Sequence, residues 1–416
     1  MAELELLRQV DVVSTVSGGS VFAAAWMASM LASKSTAEFI AEIQEELRAG
    51  FVRRSLGWKL PLLLLPGFTR SDLIADTFDR VLCDRRTLSE LPMHPLLCLN
   101  TSVLNHGQVG KFSRDGFSTL NLGNESDSDG SNVAVPLPGF KLARAAAASA
   151  AFPIGLPPIY LSSRELAGAR RVGLLAGNDP LALSDGGVLE NLGVQTLLKS
   201  HRFGTWNLIV SDAGQRHDAW RPHSFGRWLV ALAIALVSAS ILRRVIELMN
   251  DKENRSMRSA TVAAVEQSWL LEQISRESAA LASAERDLRS GGEKLPRRRL
   301  LFVRLNQTWA SLLAGIPAWR LRELAWEKDP KSTVEPPMGR AGEVEQFLRQ
   351  RARVELSVPR QMYEDLGGDV RIEKLNRVTT GFTGLDSADV DGLAAHAHWQ
   401  VHALRALYVS AEGGQL

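Results

Sequence analysis

The stretch Val12-Val13-Ser14-Thr15-Val16-Ser17-Gly18-Gly19-Ser20 decides the fold of the first half of the chain. Residues 10–14 are compact and rich in β-branched side chains, which predicts a short strand. Residues 21–33 are rich in alanine and methionine and predict a buried helix. Ser17 is therefore predicted to lie in a tight turn between a strand and a helix, where a serine side chain projects from the end of a sheet.

The glycines of this turn, and the helix that follows it, have chemical consequences. Gly18 and Gly19 are small, so we expect them to let the strand and the helix pack closely. The N-terminus of the helix directs backbone N–H groups at the turn and favours developing negative charge. If Ser17 is a nucleophile, the N–H of Gly18 is the predicted oxyanion donor. The alternative is an ordinary Ser/Gly turn between two elements.

A serine nucleophile needs a base, and an aspartate is the better candidate here. None of the eight histidines follows a strand end with a turn, as a Ser-His-Asp triad would require. Asp185 is followed by Gly186 and Gly187, which let the backbone turn and another element approach closely. Its alternative is an acid in an ordinary Asp-Gly turn. Asp212, at the end of a predicted strand, is the second candidate base, and a turn-capping acid is its alternative.

Three histidines lie close together near the C-terminus. His398 and His402 are four residues apart on a predicted helix, and His396 is nearby. This spacing could hold a metal ion, but no HExxH motif accompanies it. We therefore predict solvated or packed helix histidines, with no metal and no cofactor.

Further patterns predict strands that alternate with helices over the first half, which indicates an α/β sheet. Beyond about residue 215 the chain is predicted to be mostly helical. Segment 123–132 is polar and predicts a surface loop, and segment 315–342 holds several prolines and predicts irregular structure. The remaining predicted helices cover 39–52, 70–82 with Ser71 as its cap, 142–151 and 388–407, and the strands cover 96–101, 181–184, 207–211 and 300–305.

The composition excludes some classes of protein. The chain has 416 residues, is 45% hydrophobic and 23% charged, and carries a net charge of +2, which is typical of a globular protein. It has no basic stripe, so we do not expect nucleic-acid binding. Cys83 and Cys98 form no CxxC pair and are predicted to be buried thiols rather than a disulfide. The first residues lack the basic region of a signal peptide, so a cytoplasmic protein is predicted.

One apolar segment bears on membrane contact. Trp228 to Leu242 is uncharged and is flanked by Arg227 and Arg243. A helix of this length measures roughly 22 Å, against a hydrocarbon core of about 30 Å, so it is short for a membrane span. A buried helix and an interfacial helix that holds the protein peripherally at a membrane both remain open.

Taken together, these motifs resemble those of bacterial patatin-like phospholipases. That family uses a Ser-Asp dyad without histidine, with a GxSxG motif and a DG[GA] motif. Thr15 to Gly19 and Asp185 to Gly187 match them. Supporting segments follow in the family's order, and the resemblance covers roughly residues 5–215. These segments are 68–72, 99–101, 145–158 and 211–214.

The resemblance implies both a fold and a domain organisation. It implies a three-layer α/β/α fold with a central, mostly parallel sheet over residues 1–215. Residues 216–416 are then a mostly helical region that packs on this core.

The resemblance also implies an activity. Ser17 would be the nucleophile, Asp185 its base, Gly18 and Gly19 the elbow glycines, and Gly186 and Gly187 the glycines of the dyad motif. The chain would hydrolyse acyl esters of lipids, as a phospholipase, lysophospholipase or esterase, through an acyl-enzyme. Acyl transfer to an acceptor other than water cannot be separated from hydrolysis at this point.

Two departures from the family pattern matter. Thr15 stands where the family usually has glycine, which requires that its φ angle stay negative. The family's glycine-rich oxyanion loop, which precedes the elbow, has no counterpart among the residues before Ser17, so we expect an N-terminally truncated core. A non-catalytic or impaired lipid-binding or interaction protein is therefore the alternative to the enzyme.

Overall fold

The computed structural model describes the first half of the chain as an α/β unit. The described residues are 10–50, 69–119, 134–153, 156–162, 164–166, 180–198, 208–212 and 300–408, the last without 305–306, 317, 330–334, 338–339, 376–377 and 379–384. The strands of this half are β1 (Val12–Val16), β2 (Leu96–Val103), β3 (Gln108–Ser113), β4 (Gly116–Thr119), β5 (Ile159–Leu161) and β6 (Leu181–Asp185). Its helices are α1 (Gly18–Leu31), α2 (Thr36–Ala49), α3 (Arg70–Val81), α4 (Leu142–Ser149) and α5 (Gln195–Leu198), with 3-10 turns at Leu88–Glu90 and Gly186–Val188.

These six strands form one mixed sheet. Five of the strands lie in the order β4-β3-β2-β6-β5. The sixth strand, β1, also pairs with β2. Of the five pairings within this sheet, only β1 with β2 is parallel. The predicted α/β class is confirmed, but the prediction of a mostly parallel sheet is wrong for this sheet.

Two tight turns explain two of the four antiparallel pairings, β2 with β3 and β3 with β4. The chain reverses between β2 and β3 within residues 104–107, and again between β3 and β4 at residues 114–115. Connections this short join antiparallel strands, because a parallel pair needs a long crossover. The sequence analysis predicted β2 but no strand in residues 108–119, so it missed the two strands that fold back on β2.

The end of β1 and the end of β6 meet on the same edge of β2. β1 runs parallel to β2, and its last residue, Val16, lies opposite Asn100. β6 runs antiparallel to β2, and its last residue, Asp185, lies opposite Thr101. The two strands therefore approach each other end to end along β2, and the residues that follow them are neighbours in space.

The main hydrophobic core covers one face of this sheet. Leu97, Leu99 and Val103 alternate along β2 and belong to one cluster with buried residues of α1, α3 and α4. α4 is alanine-rich and almost wholly buried. Because alanine adds no bulk beyond Cβ, the helix lies close enough to β2 for Ser149 to donate a hydrogen bond to the carbonyl oxygen of Asn100.

The start of α3 differs from the prediction in its cap. The side chain of Thr69 accepts from the N–H of Asp72, and the Asp72 carboxylate accepts in return from the N–H of Thr69. This is a capping box, which satisfies two N–H groups that the helix leaves unpaired. Ser71 is not the cap, because it is buried and its hydroxyl donates to the carbonyl oxygen of Pro157.

Where the structure describes them, residues 300–408 are mostly helical, in agreement with the helix-rich second half predicted from the sequence. They also supply one strand of a two-stranded parallel sheet, a pairing that was not predicted. The sheet pairs β7 (Leu208–Asp212) with β8 (Leu300–Arg304). The helices are α6 (Trp309–Ala314), α7 (Ala318–Lys328), α8 (Ala341–Phe347) with a π-helical turn at Leu348–Ala352, α9 (Ser357–Asp365), α10 (Gly368–Leu375) and α11 (Ser387–Tyr408). α7 contradicts the predicted irregular segment, because Pro317 and Pro330 flank this helix rather than interrupt it.

A second hydrophobic cluster holds these helices together. Trp309, Tyr363 and Trp399 contact one another with ring centroids 5.0 to 6.1 Å apart. α11 also contacts the first half, since Arg48 pairs with Asp391 at 2.8 Å and the N–H of Leu385 donates to the carbonyl of Leu47 at 3.0 Å. The predicted boundary at residue 215, and the packing of the whole second region on the first, remain predictions.

The two cysteines and the apolar segments bear on further predictions from the sequence. Cys83 and Cys98 are free, buried thiols, as predicted, and burial raises the pKa of Cys83 to about 12 and that of Cys98 to about 11. Within the described part of the chain, no helix is both long enough and apolar enough to cross a membrane. The predicted loop at 123–132 and the apolar segment Trp228 to Leu242 lie outside the described residues.

Candidate active site

The backbone of Ser17 adopts a conformation that serine rarely takes. Ser17 lies between the end of β1 and the start of α1, with φ 54° and ψ −128°. A positive φ at a residue with a side chain costs on the order of 1–3 kcal/mol and persists only where its surroundings enforce it. The strand–serine–helix order is the one predicted from the sequence, and a strained turn of this kind is what a nucleophile elbow would need.

The residues on either side of Ser17 show how Thr15 fits where the family usually has glycine, and they correct the expected role of Gly18 and Gly19. Thr15 lies inside β1 and is absent from the residues with positive φ, so a β-branched side chain fits there. Gly18 and Gly19 are not needed for close packing of the strand and the helix. A Cβ added to Gly18 would meet nothing within 4 Å, and one added to Gly19 would lie 3.9 Å from the Cβ of Thr15. Both glycines are exposed and leave the outer side of the turn open.

Close approach occurs instead at the glycines after Asp185, as predicted for them. A Cβ on Gly186 would lie 2.6 Å from the carbonyl oxygen of Asn100 and 2.9 Å from Cγ1 of Val16. Only glycine therefore fits at this point, where the 3-10 turn crosses the junction of β1 and β2. The N–H of Gly187 donates to Oδ1 of Asp185 at 2.7 Å and fixes that carboxylate.

The structure brings Ser17 and Asp185 into direct contact. Oγ of Ser17 donates a 2.6 Å hydrogen bond to Oδ2 of Asp185. Asp185 is buried, with 4% of its surface exposed, and this burial raises its pKa to about 6 despite the hydrogen bonds from Ser17 and Gly187. At neutral pH the carboxylate is therefore mostly ionised and is a stronger base than an ordinary aspartate.

A comparison with protein families matches this part of the chain. Residues 1–198 match the family model of patatin-like phospholipases. This range includes β1, the turn at Ser17, β6 and the turn at Asp185. We refer to residues 1–198 as the patatin-like domain because of this similarity. Members of this family are in general lipid acyl hydrolases, which indicates a lipid substrate. A comparison with curated proteins found no match.

The second candidate base, Asp212, lies in a different sheet from Asp185. Asp212 ends β7, which pairs with β8 in the separate two-stranded sheet, and its strand neighbour is Arg304. The hydroxyl of Ser17 instead donates to Asp185.

The C-terminal histidines contact their own helix. His396 is buried on α11, where Nε1 of Trp399 donates to its Nδ1 at 3.0 Å and Nε2 of Gln400 lies 2.9 Å from its Nε2. The rings of His398 and His402 contact each other with centroids 4.8 Å apart. Among the described residues, no three His, Cys, Asp or Glu side chains are grouped so that they could hold a metal ion.

The sequence analysis missed a polar network behind the turn. Nδ2 of Asn100 donates to Oγ of Ser14 at 2.8 Å and to the carbonyl of Thr15 at 3.0 Å. Ser14 in turn donates to the carbonyl of Gly193 at 2.5 Å, and Thr196 donates to Oδ1 of Asn100. Asn100 thus ties β1, β2 and the loop after Asp185 together.

Ser149 is a second residue whose role was not predicted, and it contacts the backbone of the turn at Ser17. Its Oγ accepts from the N–H of Ser17 at 3.1 Å. The segments with Asn100 and Ser149 carry the family resemblance, but no role was predicted for either side chain, since their partners are distant in sequence.

Proposed function

We propose that the patatin-like domain hydrolyses acyl esters of lipids, with Ser17 as the nucleophile and Asp185 as its general base. The observation that carries this proposal is the 2.6 Å hydrogen bond from Oγ of Ser17 to Oδ2 of Asp185. A base must lie within this distance of the proton that it removes. The strained backbone at Ser17 supports the same assignment, because such strain concentrates at functional residues.

In the first half-reaction, Asp185 accepts the hydroxyl proton while Oγ of Ser17 attacks the ester carbonyl carbon. The carbonyl oxygen becomes an oxyanion, and the N–H of Gly18 is placed to stabilise it. This N–H lies in the first turn of α1, where the helix offers no acceptor and the helix dipole favours negative charge. The proton then passes from Asp185 to the leaving alkoxide oxygen, which departs as an alcohol and leaves an acyl ester on Ser17.

The second half-reaction repeats these steps with water. Asp185 removes a proton from a water molecule, which attacks the acyl carbon. The oxyanion collapses, the bond to Oγ of Ser17 breaks, and the proton on Asp185 returns to Oγ. The product is a free fatty acid, and no metal or cofactor takes part.

The surface of α1 supports an apolar substrate. One side of the helix carries four residues spaced at intervals of four in the sequence: Gly18, Phe22, Trp26 and Met30. Phe22 is 48% exposed and Met30 is 40% exposed, although both are large and apolar. Gly18 and Met30 are separated by roughly 18 Å at about 1.5 Å per residue. We propose that the acyl chain lies along this side of α1, beginning at Ser17.

The test is hydrolysis by the full chain and by Ser17→Ala. p-Nitrophenyl esters, lysophospholipid and diacyl phospholipid would be assayed, with Ser71→Ala as a control that removes another buried serine hydroxyl. We expect fatty acid release by the wild type and the control but not by Ser17→Ala. Equal release by Ser17→Ala would contradict the assignment. Transfer of the acyl group to an added alcohol would indicate acyl transfer, and ester binding without turnover would support the non-catalytic alternative.

Peripheral membrane contact is a separate part of the proposal. Flotation with vesicles of phosphatidylcholine and phosphatidylglycerol tests it, and Phe22→Ser together with Met30→Ser is the matched variant. We expect the wild type to float with the vesicles and the double variant to float less. Absence of the wild type from the vesicle fraction would remove this part and leave the hydrolase proposal intact.

A further inference from the structure

A buried hydroxyl lies directly beneath the strained turn at Ser17. Ser149, near the end of α4, is fully buried, and its Oγ accepts a 3.1 Å hydrogen bond from the N–H of Ser17. The same Oγ lies 2.7 Å from Oγ of Ser20 and donates to the carbonyl oxygen of Asn100. Three parts of the domain therefore meet at this hydroxyl: the turn with the start of α1, the end of α4, and β2.

Counting protons fixes the direction of these hydrogen bonds. A hydroxyl has one proton to donate and two lone pairs that accept. Because the Ser149 proton goes to Asn100, Ser20 must donate to Ser149. Oγ1 of Thr15 lies 3.0 Å from Oγ of Ser20, while the Thr15 proton is directed to the carbonyl oxygen of Cys98 at 3.3 Å. The hydroxyls of Ser20 and Ser149 form a chain that runs in one direction to the Asn100 carbonyl, so the first bond polarises the second.

This chain bears on the conformation of Ser17. Ser20, Ser149 and Asn100 are all fully buried, so water does not replace their partners. The N–H that donates to Ser149 belongs to Ser17, the residue with the positive φ. The hydrogen bond from Ser17 to Ser149 therefore restrains the backbone of the strained residue itself.

We propose that Ser149 is a positioning residue for the reaction. Its Oγ holds the backbone of Ser17 in the left-handed conformation, which directs Oγ of Ser17 at Asp185 and leaves the N–H of Gly18 facing outward. Ser149 touches no reacting atom and acts only through Ser17. This inference rests on the proposed function, in which Ser17 is the nucleophile.

The decisive variant is Ser149→Ala, with Ser71→Ala as its matched control. Both remove a fully buried serine hydroxyl that donates to a backbone carbonyl, but Ser71 donates to Pro157, away from the turn. We expect Ser149→Ala to lower kcat by about tenfold or more while KM stays within about twofold, because a small misplacement of a nucleophile has a large effect on rate. Ser71→Ala is expected to keep kcat within about twofold of the wild type. A kcat for Ser149→Ala equal to that of Ser71→Ala would overturn the proposal.

A second measurement does not depend on activity. Hydrogen–deuterium exchange resolved to the amide of Ser17 should be about tenfold faster in Ser149→Ala than in Ser71→Ala, since that amide loses its acceptor. Unchanged protection would overturn the proposal even if the wild type proved to have no hydrolase activity. A protected Ser17 amide in an inactive wild type would instead reject only the proposed function.

If Ser149→Ala fails to fold, the pair Ser149→Thr and Ser149→Val replaces it. These two side chains have the same shape, and only threonine keeps the hydroxyl. We expect Ser149→Thr to retain the higher kcat and the slower exchange at Ser17. Equal values for the two variants would overturn the proposal.

Discussion

Oγ of Ser17 donates a 2.6 Å hydrogen bond to Oδ2 of Asp185, although 168 residues separate them in the chain. The contact follows from the sheet. β1 and β6 end opposite the adjacent residues Asn100 and Thr101 of β2, so the residue after β1 reaches the last residue of β6. The turn at Ser17 and Asp185 are therefore both positioned by β2, and the proposed reaction depends on that register.

The first prediction concerns the pH dependence of hydrolysis. Burial raises the pKa of Asp185 to about 6, and only the ionised carboxylate can accept the Ser17 proton. We expect kcat/KM to be low near pH 4.5 and to rise through about pH 6 to a plateau, since kcat/KM reports the free enzyme. A pH series from about 4.5 to 8.5 with a short-chain ester measures this, and a flat profile between pH 5 and 7 would contradict the role of Asp185.

The second prediction concerns the stability cost of that carboxylate. The folded-state pKa of Asp185 is raised above its ordinary value of 3.8, so the protonated form is the one that folding favours. Its contribution is fully present below about pH 3.8 and is lost as the pH rises through about 6. The neutral variant Asp185→Asn should therefore be more stable than the wild type at pH 8, by up to roughly 3 kcal/mol, and should lose this advantage near pH 4.

Chemical denaturation at the two pH values measures the difference. Asp391→Asn removes an exposed carboxylate and serves as the control. An advantage of Asp185→Asn that is the same at both pH values would argue against a buried, ionised carboxylate.

The third prediction separates the two glycine pairs. Gly186→Ala places a Cβ 2.6 Å from the carbonyl oxygen of Asn100, so it should lower the free energy of unfolding by about 1–3 kcal/mol or more. Gly18→Ala meets open space and should change stability little. Thermal unfolding of both variants tests this, and a loss at Gly18 that equals the loss at Gly186 would contradict the packing described for the two turns.

A fourth prediction addresses the acyl chain. If the chain lies along α1, Phe22→Ser should lower kcat/KM for a long-chain ester by about tenfold relative to the wild type and leave a four-carbon ester almost unchanged. Val370→Ser removes a more exposed apolar side chain on α10 and should affect neither substrate. Equal effects of Phe22→Ser on the short and long esters would contradict the proposed position of the acyl chain along this side of α1.

The local parts of the site were predictable, and the long-range parts were not. Ser17 between a strand and a helix, and Asp185 before two glycines, could be recognised because each signal lies within a few residues. The antiparallel strands β3 and β4 were not predicted, because the two hairpin turns after β2 were not recognised. The antiparallel pairing of β6 with β2 joins residues about 80 positions apart in sequence, which no local pattern indicates. Asn100 and Ser149 gave no signal of their roles, since each acts on residues that only the strand register and the close approach of α4 bring near.

The central claim is that Ser17 is the nucleophile, and covalent labelling tests it most directly. A fluorophosphonate would be incubated with the full chain and the modified residue located by peptide mass spectrometry. We predict a single phosphonyl adduct on Oγ of Ser17, absent from Ser17→Ala, still formed by Ser71→Ala and formed more slowly by Asp185→Asn. Ester hydrolysis without labelling at Ser17, or an adduct on another residue whose loss abolishes hydrolysis, would contradict the account.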